Sequence, residues 1–229
     1  MKSRVFIPAL SLALTVCGMW GAPPGKCENL EAFLSKDQQF WVEGLAEFVE
    51  DGEEHLKQTD VKPAVAGKLE IFTGIAESYQ IPVEDLEKAY SIAVERAAQK
   101  SMERLRERIE KESSISDADI AFLMGGIAKF LKFNYGNLVE DYSGKIAGKE
   151  LKEALKECTS LRLSPMVEAF ISSEDCSALL KEFPKDVKRV VFGQLQRRER
   201  ELLSNPSLTD KPNLRYILEN LKRFDLAGG

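Results

Sequence analysis

Histidine is nearly absent from this chain of 229 residues, with His55 as the single instance. That scarcity excludes HExxH zinc chemistry and a doubled Glu-x-x-His iron motif, each of which needs two histidines. Any Ser-His-Asp or Cys-His arrangement would have to pass through His55. There is no Gly-x-Ser-x-Gly elbow and no glycine-rich phosphate loop. No Asn-x-Ser/Thr acceptor exists, because Asn205 is followed by Pro206. No segment alternates β-branched residues with period two, which leaves no candidate strand. Excess positive charge is lacking too: the formal net charge is −5. Nucleic acid is therefore not an expected partner, since phosphate binding needs a basic footprint.

What is present begins with an N-terminal layout of the export type. Lys2 and Arg4 precede an apolar run from Val5 to Val16, and the mixed residues Cys17 to Ala22 follow. We expect residues 1–22 to be an export signal with its cleavage region, 23–34 a tether, and 35–229 one all-α domain, with a sub-division near 143–148 as an alternative. Loss of Lys2 and Arg4 with the leader would take the charge from −5 to about −7. Leu14-Thr15-Val16-Cys17-Gly18 resembles a bacterial lipobox, which makes Cys17 a candidate for lipidation. Val16 departs from that pattern, where a small residue belongs. Ordinary secretion and an uncleaved anchor are the competing fates, and Pro8 within a barely spanning run speaks against the anchor.

Export changes how the remaining cysteines read, because disulfides persist in oxidising compartments. Cys158 and Cys176 are close in sequence, and a turn at Ser164-Pro165 would let them meet in a structural disulfide. Cys27 is the odd one.

Apolar residues recur at helical spacing through the rest of the chain. Ser35 with Gln38 reads as a capping box opening a helix to about Gln58. Asp60 caps a second helix with Pro63 in its first turn, ended by Gln80-Ile81-Pro82. A third runs from Pro82 to about Glu112. A fourth, capped by Ser116 or Asp117, ends near Ser143-Gly144, with Gly125-Gly126 read as permitting close helix approach. Further helices are expected from Lys149 to Ser160, from Ser164-Pro165, from Ser172 or Ser173 to Phe183-Pro184, from Asp186 to Asn205-Pro206, and from Pro212 to Phe224. The expected fold is an all-α, irregular multi-helix bundle of about eight helices after a cleaved signal.

Charge is segregated along the chain. Glu28 to Asp60 is strongly acidic and the stretch after Pro184 is basic, as if the first and last helices lay side by side. Asp51 and His55 are four apart and could share a helical face, but a solvated acidic helix end is the simpler reading. In Lys129-Phe130-Leu131-Lys132-Phe133-Asn134-Tyr135, Phe133 and Tyr135 are surplus to the inward stripe and become candidate partner contacts. Arg197, Arg198 and Arg200 are candidates for an acidic ligand, against a solvated helix face as the default.

No catalytic, metal or cofactor residues are assigned, and whether the chain is an enzyme is left open with a lean to the negative. The expected function is an exported, non-enzymatic helical protein that binds a protein or surface partner in the cell envelope or outside the cell. No nucleic acid is expected to bind, and the membrane is met only through a lipid on Cys17. The alternatives are an extracytoplasmic enzyme using carboxylates in a helical cleft, and a lipid or small-molecule carrier with an apolar cavity between helices.

Overall fold

The computed structural model describes residues 30–57 and 68–224. The leader, Cys17, Cys27, most of the tether and the Asp60 cap with Pro63 lie outside these residues. What is described is an all-α, multi-helix fold with no strand among the described residues.

After a helical turn at 30–34, α1 spans Gln38–Lys57. Its cap is Asp37, whose Oδ1 accepts from the Phe40 N–H at 2.8 Å. The expected Ser35 capping box does not form, because Ser35 closes the preceding turn by donating to the Ala32 carbonyl. Helix α2 spans Leu69–Tyr79 and stops where Gln80 takes the left-handed conformation at φ 56°. Helix α3 spans Val83–Glu110. Helix α4 spans Asp117–Leu123, and Ser116 caps it by accepting from the Asp119 N–H.

One break is added to those expected and two are absent. Gly126 adopts φ 128°, a conformation closed to most side chains, and this glycine separates α4 from α5 rather than easing helix contact. Helix α5 then runs unbroken over Ile127–Cys158, through the break anticipated at Ser143-Gly144 and through residues 143–148. Ser143 is accommodated because its hydroxyl donates back to the Val139 carbonyl at 2.7 Å. After a 3₁₀ turn at Leu161–Leu163, α6 spans Ser164–Ile171 with Pro165 in its first turn, and the Ser164 side chain makes no cap. Ser173 caps α7 by accepting from the Cys176 N–H at 3.1 Å. Helix α7 spans Glu174–Ser204 and passes through Pro184, so the expected stop at Phe183-Pro184 is not there. Proline removes one backbone bond and needs room for its ring. Gly144 of α5 faces that ring, and a Cβ there would meet it at 3.4 Å, an ordinary contact. A 3₁₀ turn at Pro206–Leu208 precedes α8, Pro212–Phe224, as expected.

The chain divides into two compact units. One draws on the chain up to Phe48, on Ile109–Phe130 and from Glu199 onward; the other on Val49–Arg108 and Leu131–Arg198. In the first unit, Phe33 packs edge-on to Trp41 at 5.0 Å, and Tyr216 and Phe224 lie about it at 6.0 and 6.1 Å. Gly44 of α1 abuts Ile217 of α8. Glu47 completes that contact by accepting from the Leu214 N–H at 2.7 Å at the N-terminus of α8. The first and last helices thus meet through a helix cap.

In the second unit, α5 and α7 run antiparallel. Lys188 spans Gly136 and pairs with Glu140 at 3.2 Å, Pro184 faces Gly144, and Leu180 faces Gly148. Tyr90 of α3 sits at the aromatic centre, edge-on to Phe72 of α2 at 5.5 Å and Phe183 of α7 at 5.6 Å. Helix α6 brings Phe170 against Tyr79 of α2 at 5.4 Å.

Candidate functional site

The surface residues expected to meet a partner separate on inspection. Phe133 is 77 % exposed on α5, an unusual placement for a phenylalanine. Tyr135 is half-buried, so one ring of the pair is surface and the other partly packed. Arg197 is exposed on α7. The antiparallel pairing of α5 with α7 sets Phe133 level with about residue 195, placing Phe133 and Arg197 at one end of the same helix pair. Arg198 does not belong with them. Its guanidinium donates to Asp51 of α1 at 2.5 Å, with both side chains largely buried. Arg200 is exposed but belongs to the first unit. The basic run therefore holds one internal ion pair among residues that face outward.

Nor is the acidic end of α1 a solvated face. Asp51 and Glu53 are buried. Asp51 is held by Arg198, and Glu53 accepts from Lys57 at 2.7 Å with Arg106 3.9 Å away. Gly52 lies between them where α1 meets α3 and α7: a Cβ there would stand 2.6 Å from Leu195 and 3.2 Å from Met102. Asp51 is thus a structural residue of α1, held in an ion pair. Among the described residues no group of three or more His, Cys, Asp or Glu is placed to hold a metal ion.

The expected Cys158–Cys176 bridge is not formed, and both thiols are free. The two cysteines have different surroundings. Cys158 ends α5 within reach of the charges of Lys88, Asp85 and Arg96, whereas Cys176 is buried on the inward side of the first turn of α7. Burial raises both thiols above the ordinary cysteine value, which makes them poorer nucleophiles at neutral pH.

The strongest polar constellation was not anticipated. Asp186, expected only to cap a helix, is buried within α7. Its Oδ2 accepts from the Tyr90 hydroxyl at 2.7 Å and pairs with Lys68 at 3.1 Å, and its Oδ1 accepts from Arg189 at 3.2 Å. Burial first, then the Asp186 hydrogen bond, holds the Tyr90 phenol far above the ordinary tyrosine range. A phenol held so firmly protonated serves as a donor, not as a base. Two further buried acids act in the same structural way. Glu150 accepts from Lys100 at 2.6 Å between α3 and α5. Glu199 accepts from the Ile127 N–H at 2.6 Å and the Ala128 N–H at 3.2 Å, capping α5 from a distant part of the sequence. Sequence patterning missed these because an acid inside a charged run looks solvated. The available hint was Tyr90, a hydroxyl on an otherwise apolar stripe that needs a buried partner.

The class these features define is an all-α multi-helix protein whose buried acids are tied into helix caps and ion pairs. Compared with protein-family models, with curated proteins and with solved structures, the chain matches none. No described helix is long and apolar enough to cross a membrane.

Proposed function

We propose that the protein is exported and non-enzymatic, and that it acts by binding a protein or surface partner in the cell envelope or outside the cell. The observation that carries the binding part is Phe133, an exposed aromatic with Arg197 on the neighbouring helix of the same unit. Aromatic side chains cover a large area with few torsions to freeze, and arginine adds a planar fork of five donors, which is why such residues are enriched among those that carry interface energy. The destination rests on Lys2, Arg4 and the apolar run to Val16, with Cys17 as the point where a lipid anchor would attach.

One experiment in the native host tests both parts. A photoreactive phenylalanine replaces Phe133, and the chain is recovered from envelope and external fractions for intact mass. The expected results are a mass lacking about 16 N-terminal residues with a lipid on Cys17, or lacking about 18 or more without lipid, and a discrete crosslinked adduct. Arg197→Glu weakens that adduct severalfold, and the same probe at exposed Lys111 gives none. A full-length mass in the cytoplasmic fraction sinks the export reading. Equal adducts from positions 133 and 111, or none, sink the binding surface.

A further inference from the structure

Helix α2 is fastened to the rest of its unit by few buried residues. Of its eleven residues only Phe72 and Ile75 are buried. Leu69 and Ile71 are large apolar residues left 59 % and 46 % exposed. Gly74, in mid-helix, has open space around it, and glycine there weakens the helix itself. The N-terminal flank Lys68 makes no side-chain cap, and the C-terminal cap Gln80 occupies a conformation that favours glycine.

The attachments form a linear pattern. Lys68 reaches Asp186 at 3.1 Å and lies over the Tyr90 ring at 5.7 Å. Phe72 packs edge-on to Tyr90, Ile75 is buried, and Tyr79 packs edge-on to Phe170 while its hydroxyl donates to Asp175 at 3.0 Å. Positions 68, 72, 75 and 79 are the spacing with which one face of a helix enters a groove. Beneath them, Asp186 keeps the Tyr90 hydroxyl and Arg189 if Lys68 departs, and Tyr90 keeps Phe183. Removing α2 therefore strands no buried charge, while Lys68 gains water. That distinguishes it from Asp51–Arg198, where either partner's loss leaves a charge alone.

We infer that the surface formed by Tyr90, Phe170, Asp175, Phe183 and Asp186 is a helix-binding groove, plugged in the free protein by its own α2. Its occupant in a complex is an amphipathic helix of a partner protein. That helix carries a cation, an aromatic four residues on, an aliphatic seven on and a hydrogen-bond donor eleven on. Charge complementarity selects it: Asp186 takes the cation at one end, and Asp175 takes the donor at the other. The groove is separate from the Phe133 surface and does not depend on export.

A fluorescent peptide of residues 68–80 serves as the probe, titrated into the full chain and read by anisotropy. The expected result is that Phe72→Ala, which loosens the plug, binds the peptide about tenfold or more tightly than the unaltered chain. Adding Asp175→Ala, at an exposed position, weakens that binding severalfold. Hydrogen exchange on the unaltered chain is the second measurement. Amides of α2 exchange by local opening, with protection about a hundredfold or more below those around Tyr90 in α3. Equal peptide binding by both chains, or none by a Phe72→Ala chain of unchanged helical content, overturns the groove. Protection of α2 equal to that of α3 overturns it whether or not the variant folds.

Discussion

Glu199 offers the sharpest test of how these helices are held. The first N–H groups of α5 have no partner within the helix, and at Ile127 and Ala128 they are buried. Both are taken by the Glu199 carboxylate, at 2.6 and 3.2 Å. Hydrogen bonds to a charged group are worth about 1.5–3 kcal/mol each, and leaving a buried N–H bare costs about 1–3 kcal/mol. Against this stands the cost of burying the carboxylate itself. Burial outweighs the two N–H bonds and the nearby Arg200, so the Glu199 carboxyl sits above its ordinary value. The two effects oppose each other, and we expect Glu199→Ala to cost about 2–3 kcal/mol at neutral pH. Glu199→Gln keeps one acceptor without the charge and should cost about 1 kcal/mol or less.

The sign of the pH dependence follows. A carboxyl raised in the folded state favours folding when protonated. Its contribution is complete below the unfolded value and is lost as pH rises through the folded one. The unaltered chain should therefore gain stability relative to Glu199→Gln as pH falls from neutral towards the ordinary value of 4.5. Urea unfolding followed by circular dichroism, across that range, is the assay. A Glu199→Ala chain within about 0.5 kcal/mol of the parent would refute the cap. A stability difference from Glu199→Gln that grows towards neutral pH would refute the assignment of burial as the larger effect.

Arg198→Ala strands Asp51 in a buried site and should cost about 3 kcal/mol or more in the same urea assay, whereas Arg197→Ala, at an exposed position, should cost under about 0.5 kcal/mol. Gly52→Ala sets a methyl against the side-chain ends of Leu195 and Met102, which must shift, while alanine regains about 1 kcal/mol of helix propensity, so the net loss should be about 1 kcal/mol or less, read by calorimetry; a loss above about 3 kcal/mol would show that neither side chain can move. Cys158 and Cys176 should both label with a thiol reagent in denaturant without prior reduction, with Cys176 resistant while the chain is folded; a protected pair in denaturant would restore the bridge.

The helical class was legible because the chain repeats apolar residues at three- and four-residue spacing. Local stops were legible where backbone chemistry is decisive: Gln80-Ile81-Pro82 ends α2, Ser116 caps α4, and Pro212 to Phe224 is α8. Signals that depend on a neighbour misled. Ser143-Gly144 and Phe183-Pro184 both look like breaks in isolation. In the second unit they lie where α5 and α7 meet, with Gly144 facing the Pro184 ring. Two apparent stops thus become a contact between two continuous helices. The candidate site was legible only in part. Phe133 stood out as surplus to its stripe and is exposed, while Arg198, in an identical-looking run, turns inward to Asp51.

By itself, then, the sequence determined that the chain is built of helices, where several of them begin and end, and that histidine-based chemistry has almost nothing to work with. Those properties depend on a residue and its near neighbours. Only the tertiary structure decided which charges are buried. Asp51, Glu150, Asp186 and Glu199 are indistinguishable from solvated acids in the sequence, and become structural because another helix brings Arg198, Lys100, Tyr90 or a bare helix N-terminus to them. The cost of burying a carboxylate and the gain from its partner are both set by where the helices pack, which periodicity within one helix does not encode.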